Sequence, residues 1–424
     1  MPNDIAQLQT FIHHSPSPCH VVQNAQEFLR QHSFTELAPG ESWQLVPGGR
    51  YFIPAYHTTL FAFTIGDTTG PLRMAAAHTD FPCFHLKPDP IMKHDSYHTC
   101  NIEPYGGMIL RTWLDRPLGL AGRVVLRGAD AFHPVTVPVD FGRPMMTIPS
   151  LAIHMDRKVN TEGKLNAQTD LSPLAALTDG SRDWWPELLA EAVQADARDI
   201  LSYELMTYPF ETGCTFGPEG ELFSSPRLDN LTSVWACLQG LADACATDTP
   251  AGVRLIALFD NEEVGSRTKQ GAGSYLLRDV LQRIYRSLGT AATLETAMAD
   301  GFLLSMDVAH GLHPNHTDVS DPAVRPLLGK GVVLKQAASQ AYAGDTEAIA
   351  IVRALACEKD IPVQDFVNRN DIRGGSTLGS IASAIVPVRT MDVGVPILAM
   401  HSARETMATA DEASLIELTA AVLG

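Results

Sequence analysis

Five short segments of this chain run from apolar residues into histidine or carboxylate. In the first, Ala75-Ala76-Ala77 leads into His78-Thr79-Asp80. Residues two apart in an extended chain share a face, so Asp80 can lie beside the His78 ring and orient it. The second is Ser225-Pro226-Arg227-Leu228-Asp229-Asn230-Leu231, where Asp229 stands just ahead of a helix-type run. An Asp there caps the helix or, in the other reading, bridges two metal ions. In the third, the apolar run 255–259 meets Asp260-Asn261-Glu262-Glu263. Adjacent glutamates repel unless a cation sits beside them. With one present, a glutamate can ligate it while its neighbour accepts a proton from water. The fourth segment, Leu304-Ser305-Met306-Asp307, offers another carboxylate and is followed by His310, His313 and His316. Those three share a face only in a helix, and Pro314 argues against one. In the fifth, Pro396-Ile397-Leu398-Ala399-Met400 ends in His401.

Each segment alone has a plainer reading: a solvent-exposed histidine at a strand end, a helix cap, a solvated acidic turn. Together they supply two histidines, three carboxylates and one spare glutamate. Two divalent ions about 3.5–4 Å apart, sharing a bridging carboxylate, require such a set. Nitrogen and carboxylate donors without thiolate suit zinc, and also manganese or cobalt. The residues alone do not divide base from ligand among His78, Asp229, Glu262, Glu263, Asp307 and His401. No H-E-x-x-H helix, G-x-S-x-G elbow, phosphate-binding G-x-x-x-x-G-K-[ST] loop or G-x-G-x-x-G turn occurs. Single-zinc protease, serine-hydrolase, nucleotide-hydrolysing and dinucleotide-binding readings therefore lose their main support.

Such a constellation needs elements that end side by side, and the carboxyl edge of an α/β sheet provides that. Helical spacing covers 4–36, broken by Ser15-Pro16-Ser17-Pro18. Strand-type runs follow at 42–46, 50–54, 58–65 and 72–77. Residues 88–150 are dense in Pro, Gly and His with short β-type runs, and 184–195 is the first helical stretch after them. Beyond Pro226, strands (253–259, 301–306, 331–334, 361–367, 397–400) alternate with helices (230–246, 274–287, 346–359, 376–385, 414–422). This alternation predicts an α/β fold with a mixed, mostly parallel sheet and helices on both faces. The expected organisation is a discontinuous α/β domain, 1–88 and 222–424, interrupted by a β-rich domain inserted at 89–221.

Composition bounds the partners. The chain has 424 residues and a formal net charge of −17. Such a surface repels phosphate backbones and anionic headgroups, so neither nucleic acid nor membrane is an expected partner. No run of about 20 apolar residues exists. The N-terminus lacks signal-peptide character, and the cysteines include no C-x-x-C pair, so the expected location is cytoplasmic.

Segments 78–88, 106–124, 224–231, 259–266, 305–315, 365–371 and 397–405 together resemble the aspartyl aminopeptidase family of cocatalytic zinc metallopeptidases, in order and over nearly the whole chain. The resemblance implies that His78 and Asp307 ligate one metal and Glu263 and His401 the other, with Asp229 bridging. It implies that Asp80 orients His78 and that Glu262 is the general base. It also implies that the inserted β-rich domain mediates dimerisation and that dimers build a tetrahedral dodecamer. His154 would then enter the active site of the dimer partner. Lys335 and Tyr342 match substrate-side positions. Ala341 stands where family members with strict acidic preference carry arginine, which leaves Asp/Glu selectivity open.

The function expected is removal of N-terminal residues from peptides by a dinuclear metal site. A dimetal deacylase or carboxypeptidase on the same fold is the enzymatic alternative. A non-catalytic self-assembling scaffold is the other, and it would be favoured by loss of any one ligand.

Overall fold

A computed structural model describes residues 3–179, 183–245, 251–289, 293–372 and 374–424. The runs rich in Phe, Leu, Ile and Val form one nine-stranded sheet. Its order is Thr35–Glu36, Arg50–Ala55, Thr59–Ile65, Ala251–Phe259, Asp67–His78, Phe302–Met306, Arg389–Gly394, Val332–Gln336 and Val363–Val367. The centre is parallel: Asp67–His78 lies between Ala251–Phe259 and Phe302–Met306, with Phe259 opposite His78 and Ser305 opposite Ala76. Antiparallel pairs join Thr59–Ile65 to Ala251–Phe259 and Val332–Gln336 to Arg389–Gly394. The sheet is thus mixed, as the alternating pattern predicts.

Both faces of these strands are apolar because helices cover both. Helices Asn3–His13, Pro18–Gln31, Leu228–Ala244, Thr346–Glu358 and Thr409–Leu423 close one face over Val21, Leu238, Val352 and Leu415. Helices Leu276–Leu288, Leu294–Ala299 and Leu378–Ile385 close the other over Phe63, Leu255, Leu281 and Leu378. Burying each such side chain contributes about 1.5–3 kcal/mol.

A second, six-stranded sheet is antiparallel and built from Val135–Asp140, Leu118–Leu126, Ile200–Pro209, Cys83–His94, Tyr97–Tyr105 and Leu174–Leu177. It has its own core around Phe84, Trp113, Leu120 and Leu205, with Trp185 and Leu189 from helix Trp184–Val193. Its strand Cys83–His94 begins before residue 89, so the chain passes from one sheet to the other directly after Asp80. A third, five-stranded sheet joins Cys214–Phe216, Leu222–Ser225, Glu405–Ala408, Pro396–Leu398 and Ala309–His310.

Some elements differ from expectation. No strand forms over 42–46. Trp43 and Leu45 are buried, so the alternation reports burial, but the backbone joins no ladder and the Val46 N–H donates to the Tyr51 hydroxyl instead. The strand expected to reach residue 400 stops at Leu398, and Ala399 and His401 take left-handed φ values of 57° and 64°. The last helix starts earlier, at Thr409. Ala246, the expected end of the helix after Pro226, lies outside the described residues. All seven cysteines are free. Among the described residues, no helix is long and apolar enough to cross a membrane.

Candidate metal centre

The carboxyl ends of the three central parallel strands deliver His78, Asp260 and Asp307 to one edge. Asp229 comes from the first turn of helix Leu228–Ala244, and its buried Oδ1 takes no hydrogen bond from that helix. Asp229 instead points one oxygen each way. Oδ1 lies 3.5 Å from His78 Nε2, and Oδ2 lies 3.3 Å from His401 Nε2. Asp307 Oδ1 is 3.7 Å from His78 Nε2, and Glu263 Oε2 is 3.4 Å from His401 Nε2. The result is two triads, His78/Asp229/Asp307 and Asp229/Glu263/His401, each with ligand atoms within 4.8 Å of one another.

The donors fit a pair of divalent ions. Asp229 Oδ1 and Glu263 Oε1 are buried without any hydrogen-bond donor, and buried carboxylates without partners are costly unless a cation joins them. Imidazole nitrogens facing carboxylates at these separations suit a borderline-soft ion.

Without metal, the protons are strongly redistributed. Burial pushes Glu263 well above the usual carboxylate range, and the Asp229 charge adds to this. Burial would lower His401, but Asp229 and Glu263 override it and hold the imidazole at about 10. His78 is likewise raised, against burial, by Asp229, Asp307 and Asp80. Asp229 and Asp307 are depressed. His401 and His78 outweigh burial at Asp229, and Lys335 leads at Asp307.

Supporting contacts fix the ligands. His78 Nδ1 is 3.0 Å from the Asp80 carbonyl and 3.4 Å from its carboxylate, so the backbone oxygen is the nearer partner. The Asp80 carboxylate accepts the N–H groups of Glu262 and Glu263, each at 3.1 Å, and the Tyr105 hydroxyl at 2.6 Å. His401 Nδ1 lies 2.8 Å from the Gly107 carbonyl. Gly106 has φ 76°, and a Cβ there would lie 3.2 Å from the Glu263 side chain, so any side chain would strain the backbone and crowd Glu263. Glu405 joins both triads: its Oε2 accepts the Asp229 N–H at 3.0 Å and its Oε1 the His401 N–H at 2.8 Å. Sequence reasoning passed over Glu405, Tyr105 and Gly107. Glu405 carried a usable signal, since it opens a buried strand four residues after His401.

A cavity of about 250 Å³ opens on this centre, lined by His78, Asp229, Glu262, Asp307 and His401 together with Lys335, Tyr342 and Phe366. Glu262 belongs to neither triad, and burial pushes its carboxyl up to about 8. Lys335 is buried and gives hydrogen bonds to Asp307 Oδ2 at 3.2 Å and to the Val308 carbonyl at 3.1 Å. Tyr342 lies beneath its ammonium, 5.2 Å to the ring centroid. Ala341 lines a neighbouring groove with Gln336 and Arg369. His154 is exposed, on a loop of the inserted region among exposed Leu151, Ile153 and Met155. His310 lines the cavity, whereas His313 and His316 are not among its lining residues and lie against each other with rings tilted by 44°.

The family described as aminopeptidase I zinc metalloprotease (M18) matches residues 11–421. A probable M18 family aminopeptidase 2 of Clostridium novyi is 41% identical over 407 residues, 94% of this chain and 93% of that protein. Aspartyl aminopeptidase 4 of Saccharomyces cerevisiae is 35% identical over 444 residues, 95% of this chain and 90% of that protein. A cryo-EM structure of an Ape4 and Nbr1 complex superposes with a TM-score of 0.94 at 33% identity, covering 99% of this chain and 85% of that one. With two metal-competent triads sharing one aspartate, the chain belongs to the M18 family of metallo-aminopeptidases.

Proposed function

We propose that this aminopeptidase removes N-terminal residues from peptides with two zinc ions and Glu262 as general base. One observation carries the reading: Asp229 serves both triads with separate oxygens, and Glu262 stands beside them without joining either. His78 and Asp307 would hold one ion, Glu263 and His401 the other, with Asp229 between them. When bound, the ions supply Lewis acidity and lower the pKa of a water molecule. Glu262 takes one proton from that water as its oxygen bonds to the scissile carbonyl carbon, and returns the proton to the amide nitrogen as the C–N bond breaks, leaving a carboxylate and a free amine. Asp80 holds the Glu262 and Glu263 backbone N–H groups and so fixes base and ligand relative to each other.

The N-terminal side chain of the substrate would lie against Lys335 and Tyr342. Two ammonium donors of Lys335 are engaged, and the third remains for an acidic side chain. Acidic residues are therefore accepted without the arginine that Ala341 replaces. His154 would complete the site of a second copy, and the apolar side chains around it fit burial against that copy as a step towards a dodecamer.

Glu262→Gln is expected to lower kcat by about 10²–10⁴-fold, with metal content unchanged by elemental analysis. A near-normal rate with both ions present would remove Glu262 from the role. A panel of Asp-, Glu-, Ala- and Arg-aminoacyl substrates, each free and N-acetylated, reads side-chain preference. It also separates aminopeptidase from deacylase, because only a free amine should be cleaved.

A further inference from the structure

Behind the substrate cavity sits a carboxylate that neither triad uses. Asp392 lies on strand Arg389–Gly394 and is buried. The antiparallel register that sets Leu334 opposite Val393 continues by bringing Lys335 to Asp392. On its other side Asp392 pairs with Ser305. Its Oδ2 accepts the Thr377 hydroxyl at 2.6 Å and the Ala343 N–H. A Cβ at Gly379 would lie 2.5 Å from its Oδ1, so helix Leu378–Ile385 begins against the carboxylate. Burial pushes the carboxyl up, but Lys335 and these donors oppose the shift, and the helix N-terminus also favours an anion. Asp392 does not line the cavity; Lys335, Tyr342 and Thr377 do.

Lys335 is the one lysine or arginine among the described residues that line this cavity. It faces two carboxylates, Asp307 across a hydrogen bond and Asp392 behind it. His310, also on the cavity wall, is held below its ordinary range by burial and by Lys335, so it adds no charge near neutrality. A cation set against two anions attracts an incoming carboxylate less than a cation set against one. A neutral side chain meets no such difference.

We propose that Asp392 sets how strongly the cavity selects acidic N-terminal residues, by offsetting the charge of Lys335, and so lets neutral residues compete. The inference rests on the reading in which the substrate's N-terminal side chain meets Lys335. Asp392 is a positioning residue: it touches no substrate, and its effect passes through Lys335. The same carboxylate ties the segment carrying Tyr342 to the loop carrying Thr377, so charge and shape of the cavity wall share one anchor.

The test compares kcat/KM for aspartyl and asparaginyl substrates, equal in size and different in charge, on the full chain with matched metal content. Asp392→Asn is nearly isosteric. Its carboxamide oxygen still accepts from Ala343 and Thr377, and the charge is lost. The Asp-over-Asn ratio should rise about tenfold, carried by KM for the aspartyl substrate rather than by kcat. Thr377→Val removes a donor that offsets the carboxylate, so the ratio should move the other way, falling about threefold. A merely structural loosening would move both ratios in the same direction. An unchanged or lower ratio in D392N overturns the proposal. If D392N does not fold, an unchanged or higher ratio in T377V overturns it instead. Lys335→Met tests the underlying reading separately. If it lowers the ratio while D392N leaves it unchanged, the cavity reading stands and the role of Asp392 falls. If it leaves the ratio unchanged, the cavity reading falls and this inference falls with it.

Discussion

His78 and Asp307 stand at the ends of neighbouring parallel strands, and the hydrogen-bond ladder sets their separation. Glu263 and His401 have no such support. Glu263 lies in the single-turn helix Glu262–Val264, and His401 follows a strand that has already ended, with φ 64°. Their positions depend on side chains and backbone groups brought from elsewhere: Asp80 and Glu405 carboxylates, the Gly107 carbonyl, and Tyr105 behind Asp80. Exposure follows the same division, with the His78 side chain 1% exposed and that of His401 29%. One triad is thus built by the sheet and the other by hydrogen bonds that single substitutions can remove. Metal affinity should differ accordingly, with the ion at Glu263/His401 the first to exchange.

The largest effect should come from removing what the two positions share. Asp229→Asn withdraws an anionic oxygen from both triads. It should leave neither ion bound after dialysis at metal concentrations that saturate the unaltered chain. If one ion stays with near-normal affinity, Asp229 does not bridge. Glu405→Gln is narrower. It leaves one acceptor where two buried N–H groups need two, and removing such a support typically weakens metal binding about 10–100-fold. The loss should fall mainly on the Glu263/His401 position, because the ladder still holds His78 and Asp307. Stepwise competition with a chelator reads the two affinities separately. Equal weakening of both would erase the distinction between sheet-built and bond-built positions.

The same division explains what could be read in the sequence. His78, Asp307 and the 260–263 carboxylates were legible because each follows an apolar run, and parallel strands end at a common edge. Asp229 was legible only as a choice between cap and bridge; the structure places its two oxygens toward two different imidazoles, which favours the second. His401 was legible as a residue type, but not its left-handed backbone. Glu405 sits only four residues further on, yet its partners include Asp229, 176 positions away. Tyr105 and Gly107 belong to a sheet region whose approach to the catalytic edge no local pattern encodes. The short strands Cys214–Phe216, Leu222–Ser225 and Ala309–His310 carry too few residues for periodicity to register. The run 42–46 shows the converse error, where alternation marked burial without pairing.

The smallest expected difference lies in proton release. At the Glu263/His401 position the metal-free chain holds His401 at about 10 and Glu263 well above its ordinary range. His401 is therefore largely protonated near neutrality and must give up a proton to ligate, and the raised Glu263 carboxyl releases more proton than an ordinary carboxylate would. At the other position Asp229 and Asp307 are depressed and already ionised, so only His78, held high by its carboxylates, must release one. Each proton displaced makes metal affinity rise by about one decade per pH unit below the pKa of the group concerned. Affinity at both positions should increase from pH 7 to 8, while His401 is still below its pKa of about 10. The rise should be steeper at Glu263/His401, where two raised groups release protons, than at His78/Asp307, where only one does. Zinc titration calorimetry in buffers of different ionisation enthalpy counts the protons released at each step. Equal counts would mean that the two triads, despite their different scaffolds, present the same electrostatic environment to an incoming ion.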